Sequence, residues 1–253
     1  MIQALLFFTL LTSPSSKADN SPKTMEAISS EMAKALVSLK KKAGWDEFIA
    51  NHKDLFANVN EENPAPFLAV SDLVVKVDKD EYRVGMGTRS IWIAATPKVV
   101  VQVVNNPHTL MPLYGLDKPA DIYPVNADGS FDARVYKLVP GIETQDYTLH
   151  YAGNWEGEVW IQEASQVKDE KGFALRENIK IVEPSGHGAL FREVSLLYPR
   201  RWWVKLMHGL AQNVFKKELG KMNKALKYCA EKVQGGTAMS DDLSKACYKE
   251  SQN

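Results

Sequence analysis

Two pairs of adjacent opposite charges lie inside apolar stretches of the sequence, and they are its first candidates for chemistry. Arg176-Glu177 and Arg192-Glu193 each interrupt a run of alternating apolar residues. Because successive side chains of a β-strand point to opposite faces, one charge of each pair is expected to face inward. A lone buried charge is costly unless it is paired, so these four residues are candidate polar anchors, for one another or for a ligand head group. The alternation leaves open which charge faces inward, and a strand twist that carries the charge to water is the alternative.

The histidines offer little support for catalysis or metal binding. They are scattered, with none of the spacings that metal sites use: His52, His108, His150, His187 and His208. His150 beside Asp146 or Tyr147 would suit acid–base chemistry, but His150 and Tyr147 differ in strand parity and are expected to point apart. The sequence has no Gly-rich phosphate loop or nucleophile elbow. We therefore expect no catalytic residue, no metal and no cofactor.

The two cysteines, Cys229 and Cys247, complete the residues with distinctive chemistry. An isolated pair in an oxidising compartment usually forms a disulfide. Closing their loop of about 18 residues would stabilise the fold by roughly 3 kcal/mol on the chain-entropy model. We predict this disulfide, with two unpaired thiols as the alternative.

The N-terminal segment predicts export to such a compartment. Residues Ala4 to Leu11 form a short apolar run, and the polar stretch after it ends in Ser16-Lys17-Ala18. Small residues at 16 and 18 match the cleavage site of a secretory signal peptide. The run is shorter than the ~20 residues of a membrane-spanning helix. We expect residues 1–18 to be a signal peptide and the mature protein to be periplasmic or secreted; a buried N-terminal helix is the alternative.

The charge balance argues against a nucleic-acid partner. Lys and Arg total 31, as do Asp and Glu, and no basic stripe runs along the chain. A local patch would still allow transient contact with a membrane. The apolar fraction of 45% is sufficient for a well-buried core, and we expect a monomer.

The elements that position these residues begin with helices. Apolar residues recur every three or four positions from about Thr24 to Lys42, and again from Asp46 to Ala57. A polar loop follows from Asn58 to Pro66. We assign residues 19–66 as a helical cap with a linker.

From Leu73 the apolar period changes to two, which predicts a meander of antiparallel strands separated by turn signals. The predicted strands are Leu73–Val77, Tyr82–Ala95, Asp121–Val125, Phe131–Val139, Asp146–Ala152, Glu156–Ala164, Gly172–Val182 and Gly188–Leu197. A short helix interrupts them after Thr96-Pro97, where Pro occupies the first helical position.

The longest helix is expected from about Pro199 to Val233, before Gly235-Gly236. Its first half is apolar on most sides, so it is expected to lie across the sheet and also to border a cavity or the N-terminal helices. A last helix, Ser240 to Glu250, is expected to pack on it through Leu243 and Cys247.

Four short motifs resemble those of START domains and their relatives in the Bet v 1-like superfamily. They stand in the family's order: Ala94–Val100 with Asn106-Pro107, Gln145-Asp146-Tyr147, Ile181–Gly186 and Leu197–Trp203. The first resembles the family's "small residue-Pro-x-x-Val" helix start, and the second its "Arg-Asp-Tyr" strand start, with Gln in place of Arg. The last departs from "Asp-Pro-x-Gly-x-Pro-x-Trp", since Tyr198 replaces the Asp and the second Pro is missing. The resemblance covers roughly Leu73 to Val233.

The resemblance implies an α+β helix-grip fold, in which a curved antiparallel sheet wraps a long C-terminal helix. The START-like domain would span residues 67–234, with residues 235–253 a short helix tied back by the disulfide. Such domains hold a hydrophobic molecule, often a lipid, sterol, quinone or polyketide. Most members bind or carry, so we expect a carrier. A cyclase-like or acyl-hydrolysing enzyme and an interaction module with a filled cavity are the alternatives.

A pocket of this kind needs apolar and aromatic lining with a few placed polar groups. The candidate lining residues are Trp203, Met207, Leu210 and Val214 on one face of the long helix, and Trp92, Tyr147, Trp160 and Phe191 on the strands. Ordinary core packing is the alternative for each of them. The mouth is expected at Pro97–Tyr114 and Pro184–Gly188, with Asn105–Leu110 as a gate.

Overall fold

Helices stand at both ends of the chain and a sheet lies between them. The computed structural model describes residues 21–106, 109, 121–122, 125–139, 143–171, 174–199 and 208–252, so the predicted signal peptide lies outside the described residues. The helices are α1 Pro22–Leu36, α2 Lys42–Asn51, α3 Pro97–Val104, α4 His208–Gln234 and α5 Asp241–Gln252, and a 3₁₀ segment, Val37–Lys40, joins α1 to α2.

A single antiparallel sheet forms the middle of the fold. Its strands are β1 Phe67–Val77, β2 Asp80–Ile93, β3 Asp121–Ile122, β4 Phe131–Val139, β5 Glu143–Glu156, β6 Val159–Lys171, β7 Ala174–Ser185 and β8 Gly188–Pro199. Their order is β1-β2-β8-β7-β6-β5-β4-β3, so β3 to β8 form the predicted meander and the β1–β2 hairpin joins it through β8. This arrangement confirms the predicted α+β helix-grip class.

Helices cover the two faces of this sheet. The inner face packs against α3, α4 and α5, with Phe191 and Trp160 of the sheet beside Val100 of α3 and Leu226 of α4. The outer face packs against α1 and α2, and its residues are Val84, Ile161, Ile179, Ile181, Val194 and Leu196, among others. The N-terminal helices therefore lie opposite α4, across the sheet.

Gly44 lies inside α2, although it falls in the gap between the two predicted helical stretches. A Cβ atom at this position would overlap the carbonyl of Ser38 in the 3₁₀ segment. Glycine thus allows the first turn of α2 to approach the preceding backbone closely. The predicted single helix to Lys42 is instead α1 followed by the 3₁₀ segment, and α2 begins four residues earlier than predicted.

The C-terminal helices form a covalently joined pair. Cys229 of α4 and Cys247 of α5 form a disulfide with a Cα–Cα distance of 5.7 Å, which confirms the predicted pairing. Leu243 and Cys247 are buried in the same cluster as Leu226 of α4, also as predicted. In the part of the chain that the structure describes, no helix has the length and apolar character needed to cross a membrane.

Candidate functional site

Four polar side chains form a row across the inner face of the sheet. The strand register pairs Gln162 with Lys180, Lys180 with Glu193, and Glu193 with Arg89. Strand alternation places them on the side of Trp160, Val182 and Phe191, which pack against α3 and α4. This charged row, as we call these four residues, therefore runs from β6 to β2 beneath the helices.

Arg89 and Glu193 form a buried ion pair at one end of the charged row. Arg89 Nε donates to Glu193 Oε2 at 2.6 Å, and Arg89 Nη2 donates to the same oxygen. Arg89 Nη1 donates to Asn223 Oδ1 of α4 at 3.1 Å, and the guanidinium carbon lies 4.9 Å from the ring centroid of Phe191. The exposed fractions of the two charged side chains are only 4% and 2%, so the pair acts in a medium of low polarity.

Lys180 occupies the middle of the charged row and is fully buried. Its Nζ lies 5.2 Å from the ring centroid of Tyr151 and donates to Gln162 Oε1 at 3.4 Å. Gln162 Nε2 in turn donates to Asn105 Oδ1 at the end of α3, at 2.7 Å. Asn105, the first residue of the predicted gate, is thus bound to the sheet.

The neighbouring charges keep Glu193 ionised. Burial alone would raise the pKa of this carboxyl, but the charges of Arg89 and Lys180 outweigh burial and hold the pKa below its ordinary value. Ser195 Oγ adds a hydrogen bond to Glu193 Oε1 at 2.8 Å. The charged row therefore carries two cations and one carboxylate.

Several buried amide groups near the charged row lack protein partners. Asn223 Nδ2, Asn178 Oδ1 and both amide atoms of Gln166 have no hydrogen-bond partner among the described residues. By alternation Asn178 and Gln166 lie on the inner face, since Glu177 and Ile179 pack on the outer face and Ala164 on the inner face. A buried polar atom without a partner is destabilising unless water or a ligand supplies one. These atoms are available to a bound molecule.

Apolar walls flank the polar centre. Trp160 and Phe191 are buried with α3 and α4, and Tyr147 is buried in a cluster with Phe131, Leu149 and Tyr151. The Arg176 guanidinium carbon lies 4.6 Å from the ring centroid of Tyr147. Of the predicted site residues, the inner face therefore includes Tyr147, Trp160, Phe191, Arg176 and Glu193.

The four predicted lining residues of the long helix have no described side chains. Trp203 and Met207 lie outside the described residues. Leu210 and Val214 belong to α4, but their side chains are outside the described part of the structure. The predicted mouth is described in part: β7 runs to Ser185 and β8 starts at Gly188, so within the segment Pro184–Gly188 the hairpin turn consists of residues 186 and 187.

Three predicted site residues lie on the outer face and must be corrected. Trp92 is flanked on β2 by the inner-face residues Ile91 and Ile93, so it points the other way, and its Nε1 donates to the Ser185 carbonyl at 3.0 Å. Arg192 pairs with Glu183 on the outer face. Glu177 accepts a hydrogen bond from Ser29 of α1.

The physical reason for these corrections is the composition of the two faces. The apolar residues Leu175, Ile179 and Ile181 share the face of Glu177 on β7, and they pack against the N-terminal helices. The amphipathic helices α1 and α2 need an apolar partner surface, and the outer face of the sheet provides it. The buried charges are on the inner face, beneath α4.

Four residues of the polar centre were not predicted from the sequence: Arg89, Lys180, Gln162 and Asn223. The only signal for Arg89 was its parity with Ile91 and Ile93 on β2, and for Lys180 its position between two buried isoleucines. Neither position reveals its partner, because Arg89 and Glu193 are 104 positions apart in the sequence.

The catalytic and metal-binding candidates do not meet on the inner face. His150 and Tyr147 point to opposite faces as predicted, and His150 Nδ1 lies 2.7 Å from Asp132 Oδ1. Asp146 accepts two hydrogen bonds of 2.8 Å from Arg134. Among the described side chains, no cluster of three His, Cys, Asp or Glu residues could hold a metal ion.

A separate groove of about 290 Å³ opens on the outer face. Its lining includes Lys40 of the 3₁₀ segment, Ala152 of β5, Ile161 and Glu163 of β6 and Ile179 of β7. Since Ile161 and Ile179 belong to the outer face, the groove lies across the sheet from the charged row.

Comparisons with known proteins rest on structure alone. No protein-family model matches the sequence, and no curated protein matches it. The crystal structure of human STARD10 superimposes with a TM-score of 0.53 at 13% identity, covering 80% of this chain and 87% of that one. A STAR-related lipid transfer protein fragment from Xanthomonas axonopodis gives 0.49 at 13% identity, covering 65% and 98%. A Thermus thermophilus protein gives 0.48 at 14% identity, covering 60% and 98%. The superposition on STARD10 shows that the chain has the helix-grip fold.

Proposed function

We propose that this protein binds and carries an amphipathic small molecule of the lipid, sterol or quinone class between the inner face of the sheet and α4. The observation that carries the proposal is the charged row together with the unpartnered amide atoms of Asn223 (Nδ2), Asn178 (Oδ1) and Gln166 (both). The polar group of the ligand would contact these residues, and its apolar part would lie along the aromatic walls.

The energetics favour such a ligand over a purely hydrocarbon one. Each buried CH₂ group contributes about 0.8 kcal/mol, so an acyl chain or a ring system needs few polar contacts to bind. A ligand without polar atoms would leave the amides of Asn178 and Asn223 unsatisfied, at a cost of about 1–3 kcal/mol each. A molecule with one polar end avoids this cost.

We propose binding without turnover. The charged row places its carboxylate between two cations, which fixes Glu193 in the ionised state and makes it a poor proton donor. A ligand recovered after incubation should therefore have an unchanged mass. Turnover of any recovered ligand would favour the cyclase-like or hydrolytic alternative.

Native mass spectrometry of purified protein, followed by lipid extraction, tests the central proposal. Binding to a panel of lipids, sterols and quinones at micromolar concentration tests it further. If no ligand co-purifies and none of the panel binds, the carrier function is refuted.

Two asparagines on α4 provide a matched pair of variants. Asn223→Leu removes the buried amide beside Arg89 and should weaken binding by roughly tenfold, the equivalent of one hydrogen bond. Asn213→Leu changes an exposed residue of the same helix and should leave the affinity unchanged. Equal affinities for both variants would remove the amide of Asn223 from the ligand site.

We also propose that the mature chain is exported as a monomer that contacts membranes transiently. The apolar run Ala4 to Leu11, the Ser16-Lys17-Ala18 site and the Cys229–Cys247 pair support export. N-terminal sequencing of the mature protein should begin at Asp19, and light scattering should give the mass of one chain. An uncleaved N-terminus in the native host would contradict export through a signal peptide, and the mass of a dimer would contradict the monomer.

A further inference from the structure

A buried carboxyl group lies in the interface between α1 and the outer face of the sheet. Glu177 on β7 is only 5% exposed, among Ile28, Met32 and Ile179 of the same apolar cluster. Ser29 Oγ of α1 donates to Glu177 Oε1 at 3.4 Å, and the hydroxyl of Ser165, its cross-strand neighbour on β6, also bonds to it. The contact that holds α1 to β7 thus contains an acid whose hydrogen-bond partners are hydroxyl groups.

The charged groups around Glu177 do not neutralise it. On β6, Glu163 adds a second acid, and on the 3₁₀ segment Lys40 forms an ion pair with Glu163. The cross-strand neighbour on β8 is the apolar Leu196, and α1 places Ser29 here. The two hydroxyl groups stabilise an ionised carboxylate only in part, so at this buried position an ionised Glu177 would be a buried charge with weak compensation.

We propose that α1 docks on the outer face in a proton-dependent manner, with Glu177 as the titrating group, so that protonation of the carboxyl strengthens docking. Ionisation would weaken docking and expose more often the apolar surfaces that α1 and the outer face bury against each other. The proposal does not depend on the ligand of the inner face.

The expected pH range follows from the position of Glu177. Burial raises the pKa of Glu177 to about 7; the hydroxyls of Ser165 and Ser29 lower it, Glu163 raises it and Lys40 lowers it. With α1 released, the carboxyl would return toward the ordinary value of 4.5. Because the docked form binds the proton more tightly, docking is strongest below pH 4.5 and weakens as the pH rises through 7. Linkage gives a roughly tenfold fall in the docking constant between pH 6 and pH 8.

Hydrogen exchange of the α1 amides at pH 6 and pH 8 tests the proposal, with exchange times scaled for the pH dependence of the chemical rate. The opening constant of α1 should rise roughly tenfold in the wild type, while α4 and β5 stay unchanged. Glu177→Gln should abolish this change and make α1 more protected than in the wild type at pH 8. Glu177→Leu, which suits the apolar surroundings, should behave in the same way. Glu26→Gln, an exposed acid on the same helix, should keep the wild-type profile.

Three results would overturn the proposal. The first is equal α1 protection at the two pH values in the wild type. The second is an undiminished pH dependence in Glu177→Gln or Glu177→Leu. The third is a parallel loss of protection in α4 and β5, which would mean that the whole fold and not α1 responds.

Discussion

Replacing Arg89 by methionine should destabilise the protein far more than a typical surface substitution. The guanidinium donates twice to Glu193, once to Asn223, and covers the ring of Phe191. Without it, Glu193 would remain buried beside Lys180 and Ser195, and Asn223 Oδ1 would lose the donor that it has among the described residues. Breaking a buried pair by removing one partner costs about 3–5 kcal/mol.

Urea unfolding at constant pH measures this cost directly. A loss of that size corresponds to a fall in Tm of roughly 6–20 °C for a chain of this length. Arg83→Met removes an exposed arginine from the same strand and should stay within about 0.5 kcal/mol of the wild type. Because the pair is buried, raising the salt concentration should not reduce the difference between Arg89→Met and the wild type.

A double-mutant cycle separates the ion pair from general packing. The double variant Arg89→Met with Glu193→Met removes both charges. It should therefore lose less stability than the sum of the two single losses, with a coupling energy of about 2 kcal/mol or more. A loss of less than about 1 kcal/mol for Arg89→Met would contradict a stabilising role for the ion pair. So would a double variant whose loss of stability equals the sum of the two single losses.

Three further predictions concern the scaffold. Cys229→Ala with Cys247→Ala should lower the free energy of unfolding by roughly 3 kcal/mol, measured by urea unfolding, and adding reductant should then have no further effect; an unchanged stability would contradict a structural disulfide. Gly44→Ala should cost roughly 2–3 kcal/mol of stability because its Cβ would overlap the Ser38 carbonyl. Gly129→Ala, at a positive φ with open space around it, should cost about 1 kcal/mol. The reverse order would refute the role of Gly44 in the close approach of the two backbone segments. Thr88→Val should cost about 1–3 kcal/mol of stability, since its buried hydroxyl donates to the Leu55 carbonyl at 2.6 Å. Thr237→Val changes an exposed threonine and should be neutral. Equal unfolding midpoints for these two variants would show that the hydrogen bond does not stabilise the fold.

The order of β3 to β8 could be predicted from the sequence because it depends on local signals, whereas the pairing of β2 with β8 could not. Alternating apolar residues and turn residues such as Asp128-Gly129 define each hairpin of the meander, and β4 begins and ends where the pattern indicates. The amphipathic pattern of α1 likewise predicts its buried residues, Met25, Ile28 and Met32.

The identity of the two faces could not be predicted in this way. In β7 and β8 both faces are buried, so alternation separates two sets of residues without saying which helix covers each set. The more apolar set suggested a pocket, yet it meets α1, and Trp92 was misplaced for the same reason. Arg89 and Asn223 were missed because their contacts join distant parts of the chain.

The pairing of β2 with β8 has a consequence for the order of folding. The hairpins from β3 to β8 close between neighbours in the sequence, whereas Arg89 of β2 meets Glu193 only after a separation of 104 residues. Contacts of such long range must offset the entropy of closing a long loop, and they slow folding. The β1–β2 hairpin can therefore join the sheet only once β8 has formed. The Arg89–Glu193 ion pair would then be among the last contacts made, and its formation would report that the early and late parts of the sheet have met.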